Sequence, residues 1–78
     1  MRIVVHGQQD AGGAVLEALL DRGDDVVAVY APPPGPREDP LATAAAAAGL
    51  PLVRPATFRD PAVLEGFRRL APDLQVMA

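Results

Sequence analysis

VVHGQQDAGG, residues 4–13, carries the densest set of groups able to do chemistry: a histidine, two glutamines, an aspartate and three glycines behind an apolar run. At a strand-to-helix turn, such glycines let backbone N–H groups converge on an anion or a polar substrate group. The dinucleotide fingerprint G-x-G-x-x-G is not met. Gln9 stands where its second glycine belongs, and the second apolar run ends Val29-Tyr30-Ala31 instead of on a ribose-binding acid. A P-loop fails as well, because G-Q-Q-D-A-G-G lacks the lysine and hydroxyl, and all seven basic residues are arginine. Gly7, Gln8 and Gln9 remain as candidate substrate-binding residues. Arg37, on a proline-rich loop, joins them as a group able to meet a phosphate or another anion.

Each has a plainer reading. Gly7 makes the tight turn, Gly12 or Gly13 lets the helix approach the sheet, and Asp10 already answers the positive helix end. The two glutamines bond within their loop. His6 is a strand-end histidine satisfied by a neighbouring carbonyl, and Arg37 is a solvated charge beside Glu38 and Asp39. Arg68 and Arg69 suit the negative end of a helix. With one histidine and no cysteine, neither a histidine-rich metal cluster, a thiolate metal site nor a disulfide is available. No residue is assigned a catalytic or metal-binding part.

The elements that must hold these groups follow from hydrophobic spacing. Arg2 to His6 and Val26 to Tyr30 read as buried parallel strands, with consecutive β-branched residues. Between them Val15, Leu16, Leu19 and Leu20 form a helical stripe, closed by Gly23 as a left-handed residue. Residues 31–40, APPPGPREDP, are a loop with five prolines. Asp39-Pro40 starts a short helix over Leu41 to Ala48, and Gly49 ends it. Leu50 to Arg54 suggests a third strand, brief or at an edge because of Pro51. Asp60-Pro61 repeats the helix start, Val63, Leu64, Phe67 and Leu70 predict its buried stripe, and Pro72 stops it. Leu74 to Ala78 begins a fourth strand. The order β-α-β-α-β-α-β predicts an α/β fold, a Rossmann-like doubly wound parallel sheet.

At 78 residues the chain makes at most one domain. Ending on an apolar strand, it reads as the N-terminal portion of a larger domain. Its thin core is expected to supply no more than about 3–5 kcal/mol. Alone, the chain is expected to be poorly stable or self-associating; a monomer that unfolds cooperatively at micromolar concentration would contradict that. The net charge of −3 argues against a stand-alone nucleic-acid binder. No apolar run spans a bilayer and no signal peptide is evident, so a cytoplasmic location is the default expectation.

Taken in order, MRIVV with HGQQ after it, LEALLDRGDDVVAVY, the proline-rich loop, GLPLVRP and LAPDLQVMA resemble the N-terminal region of the folate-dependent formyltransferases. That family includes methionyl-tRNA formyltransferase, sugar N-formyltransferases and the hydrolase domain of 10-formyltetrahydrofolate dehydrogenase. HGQQ and the short loop into EDPL look most like the dehydrogenase branch, since the tRNA-acting enzymes usually carry a longer, more basic loop. The resemblance implies transfer of a formyl group from 10-formyltetrahydrofolate to an amine, or to water. It places the family's asparagine, histidine and aspartate beyond Ala78, with most of the folate pocket, so His6 inherits no catalytic part. In the tRNA-acting branch the loop that matches the one bearing Arg37 approaches the acceptor stem. The implied partners are the remainder of the formyltransferase domain and an amine acceptor, small-molecule or tRNA-linked, with no membrane and no metal. A non-catalytic Rossmann-like module that binds a nucleotide or a partner is the alternative.

Overall fold

The computed structural model describes all 78 residues, Met1–Ala78. Seven elements alternate: β1 (Arg2–His6), α1 (Gln9–Asp21), β2 (Asp25–Tyr30), α2 (Pro40–Ala47), β3 (Leu52–Val53), α3 (Pro61–Leu70) and β4 (Leu74–Met77). The strands form one sheet in the order β3-β2-β1-β4, and every pairing is parallel. The expected α/β, Rossmann-like layering is present. The order of strand addition reverses between β1 and β4, because α3 carries the chain from one sheet edge to the other.

Side-chain alternation along β1 separates the two faces. Ile3 and Val5 pack with Leu16 of α1 and with Leu41, Ala42 and Ala45 of α2, while Val4 packs with Ala28 and Tyr30 under α3. Register slips after the Ile3–Val26 pair, so that Val4 meets Ala28. The extra residue, Val27, lets β2 keep Val26 and Val29 on the first face and Ala28 and Tyr30 on the second.

The helix ends follow local chemistry. Asp39 and Asp60 each cap a helix through their own Oδ1, accepting from Leu41 N at 2.9 Å and Ala62 N at 2.9 Å. Gly23 and Gly49 take the left-handed conformation just past α1 and α2, with φ of 78° and 70°. Gly12 serves a different contact from the one expected. A Cβ there would lie 3.0 Å from Leu41 Cδ2 and 3.2 Å from Leu41 Cβ, so the glycine admits helix α2 and not the sheet.

The third strand is brief and at a sheet edge, as Pro51 predicts, whereas the expected buried stripe of α3 needs correction. The third strand covers only Leu52–Val53, because Pro51 has no N–H and sits at its entrance, where its carbonyl accepts from Val29 N. On α3, Val63, Phe67 and Leu70 lean on the sheet, but no residue is fully buried and Leu64 is 42% exposed. That helix covers its face alone, with no neighbour to close over its flank. As expected of the apolar last strand, β4 pairs only with β1 and leaves Leu74 and Met77 exposed.

Candidate functional site at the carboxyl edge

All strands are parallel, so their carboxyl ends share one edge, where open α/β sheets place ligands. Three connections rise from it: residues 7–8 after β1, 31–39 after β2 and 54–60 after β3. The first two are fastened together by Asp39. Besides capping α2, its buried Oδ1 accepts from Gln9 N at 3.0 Å. Gln9 itself has φ of 59°, a left-handed conformation unusual for a residue with a Cβ. The bond from Asp39 holds that conformation and satisfies the first N–H of α1. Asp10 lies in the first turn of α1 as the sequence suggests, and the carboxylate that accepts from the helix start is Asp39.

Gln8, Gln9 and Arg37 come together as walls of a cleft of about 270 Å³, which the half-buried Arg54 also lines. Gly7 borders a neighbouring cavity of about 280 Å³ with His6, Tyr30, Thr57 and Phe58, and Pro32 and Pro33 divide the two spaces. Gly7 is wedged where the order of strand addition switches, between β1 and β4. Its N–H donates to Tyr30 O at 3.1 Å, and a Cβ would lie 2.8 Å from the Ala78 carbonyl oxygen, so only glycine fits without backbone movement.

Arg54 was missed in the sequence reading. Its position at the carboxyl end of a short strand was the available signal, obscured because GLPLVRP reads mainly as strand. Its Nε donates to Pro32 O at 2.7 Å and so ties the third connection to the proline loop. Arg37 is exposed, as a solvated charge beside Glu38 and Asp39 predicts, and both carboxylates also accept hydrogen bonds from other residues. Glu38 Oε1 accepts from Thr43 Oγ1 at 2.7 Å, and Asp39 accepts the two backbone N–H groups. The ion pairs of the molecule are Arg22–Asp24 and Arg69–Glu65, so neither Arg37 nor Arg54 makes a direct ion pair.

The single histidine, the single tyrosine and both phenylalanines of the chain meet beside this edge. His6 stacks on Tyr30 with ring centres 5.0 Å apart, and Phe58 and Phe67 each tilt toward His6 at 5.9 Å. His6 Nε2 is buried with no hydrogen-bond partner, which overturns the expected carbonyl contact. Aromatic packing surrounds the imidazole, with the Gln75 side chain as its polar neighbour. Burial pulls its pKa below 6.5, with Gln75 opposing to a lesser degree, and burial raises the Tyr30 hydroxyl above its ordinary value.

An unfolded histidine takes up a proton near 6.5, whereas the folded one resists it. Stability is therefore full above that pH and falls as the pH drops from 6.5 toward the lowered folded value. Urea midpoints measured from about pH 5 to 8 should show this slope. His6→Phe, which keeps a ring in the cluster, should flatten it; an equal slope in the variant would assign the effect elsewhere.

No group of three or more His, Asp or Glu side chains is placed to hold a metal ion. No helix is long and apolar enough to cross a membrane.

No family model matches the chain. Curated relatives do. It is 38% identical over 99% of its length to methionyl-tRNA formyltransferase of Geotalea uraniireducens, and 42% identical over 100% to that of Gluconobacter oxydans. Methionyl-tRNA formyltransferase of Xylella fastidiosa is 44% identical over 99%. The alignments run to 84–86 positions against 78 residues, so these relatives carry insertions relative to this chain. The chain spans about 27–28% of the length of the relatives. From end to end it is similar to proteins of one enzymatic name.

Proposed function

We propose that this chain, related throughout its length to methionyl-tRNA formyltransferases, is the N-terminal part of a formyltransferase's Rossmann-like domain. The complete protein then transfers the formyl group of 10-formyltetrahydrofolate to an amine, with methionyl-tRNA as the first choice of acceptor. The whole-length similarity carries this reading. The carboxyl-edge cleft supports it by presenting amides and guanidinium groups to an incoming substrate.

The folate donor supplies an activated one-carbon group. Spaces of about 270 and 280 Å³ lie at the lower end of small-molecule sites and do not enclose a molecule of that size. No step through it is assigned to this chain. What these residues do is position the acceptor. Gln8 and Gln9 offer neutral donors and acceptors, Arg37 a charge, and Gly7 the close approach of β1 to β4. Held in place, an acceptor amine loses less freedom on reaching the reacting carbonyl, which lowers the barrier.

The test uses the polypeptide from the complete reading frame, 10-formyltetrahydrofolate, and separate arms with methionyl-tRNA, an amino-sugar nucleotide or water. Formyl-methionyl-tRNA is the expected product. Formylated sugar or formate alone would overturn the acceptor and keep the donor. An untouched donor in every arm would overturn the whole reading.

A further inference from the structure

We propose that Arg54 and Arg37 form a two-armed clamp for a phosphate group of the acceptor, in the cleft lined by Gln8 and Gln9. The inference rests on the acceptor-binding reading above and adds a residue, Arg54, and a ligand chemistry to it.

The first argument is charge. Both guanidinium groups line the same cleft. Asp39 lines the cleft as well, its carboxylate accepting from Gln9 N and Leu41 N, while Glu38 accepts from the Thr43 hydroxyl. One carboxylate against two guanidinium groups leaves the cleft net positive. Neither arginine belongs to an ion pair. Two like charges at one concave surface repel until an anion enters, and the concave shape concentrates their field.

The second argument is geometry. Arg54 commits Nε to Pro32 O, which leaves its two terminal nitrogens as donors and fixes the plane of the fork. A guanidinium held in this way loses little freedom when it binds. Phosphate oxygens match such a fork through paired, charge-assisted hydrogen bonds. The Gln8 and Gln9 amides add donors, and two forks with two amides exceed what a carboxylate's two oxygens can use. The α1 N-terminus is not counted, since Asp39 already occupies its first N–H.

The third argument is coupling. Because Arg54 grips the proline loop that carries Arg37, an anion on Arg54 also secures the position of the second arm.

The full-length protein should be titrated calorimetrically with inorganic pyrophosphate at low salt, as wild type, Arg54→Gln, Arg54→Lys and Arg37→Gln. Arg54→Gln should weaken binding at least ten-fold. Arg54→Lys, which keeps the charge without the fork, should recover part of it, and Arg37→Gln should also weaken it. With acceptor, Arg54→Gln should act on KM more than on kcat, and should flatten the salt dependence of binding by about one charge. An RNA minihelix and a small phosphorylated amine, run as separate arms, distinguish the source of the phosphate.

Equal pyrophosphate affinity in wild type and an Arg54→Gln protein of native circular dichroism overturns the clamp, as does wild type that binds none. If Arg54→Gln fails to fold, Arg37→Gln and the salt slope decide. A protein that binds pyrophosphate through Arg54 yet moves no formyl group keeps the clamp and loses the formyl reading. Formyl transfer indifferent to Arg54 and Arg37 does the reverse.

Discussion

Asp39→Ala should lower the unfolding free energy by about 2–4 kcal/mol, the sum of a lost N-cap and a backbone donor left without its partner. The carboxylate accepts from Leu41 N at the start of α2 and from Gln9 N at the start of α1. It is buried, so water cannot easily replace it at either N–H. Gln9 would also lose the bond that holds its left-handed conformation, and the Gln8–Gln9 wall of the cleft would loosen with it. Asn at this position retains an acceptor oxygen and should cost less than half as much. Urea unfolding of wild type, Asp39→Ala and Asp39→Asn separates these cases. A loss below about 0.5 kcal/mol for alanine, the range of ordinary surface changes, would mean that Asp39 does not fasten the two helices.

Leu16→Ala has the second large effect, about 2–5 kcal/mol, through lost transfer energy and the cavity left behind. Leu16 is fully buried between the sheet and α2. In a complete domain, whose total stability is typically about 5–15 kcal/mol, that loss takes a large share. Leu64→Ala is the matched control. The same deletion at a side chain 42% exposed should cost under about 1 kcal/mol, because less apolar surface returns to water. Similar losses at both positions would show that α3 is covered more fully than its exposure indicates.

These residues mark what a linear reading reaches. Leu16 and Leu64 both belong to well-formed helical stripes, and the stripes identify α1 and α3 correctly. Periodicity tells which side of a helix is apolar; it does not tell how completely another element covers it. Local signals were legible: β1, the caps Asp39 and Asp60, and the glycines past α1 and α2 appear where the sequence places them. Parallel strands with helices between them were legible for the same reason.

Contacts between distant residues were not. The Asp39–Gln9 bond joins positions 30 residues apart, and each end alone looks like an ordinary helix start. The gathering of His6, Tyr30, Phe58 and Phe67 needs β1, β2, the loop after β3 and α3 in register before it exists. Of the candidate site, Gln8, Gln9 and Arg37 share a cleft, Gly7 lies next door, and Arg54 escaped notice because its partner is a backbone carbonyl on another loop.

The double grip of Asp39 has a bearing on how recognition could be retuned. A side chain that serves framework and cleft wall together cannot drift toward a new ligand without dismantling its own platform. Selection, natural or in the laboratory, would have its room among the unencumbered neighbours: the arm at position 37, the amide at position 8 and the prolines between the two hollows. Libraries that vary those and leave position 39 untouched should hold a larger share of folded members than libraries that randomise the whole rim.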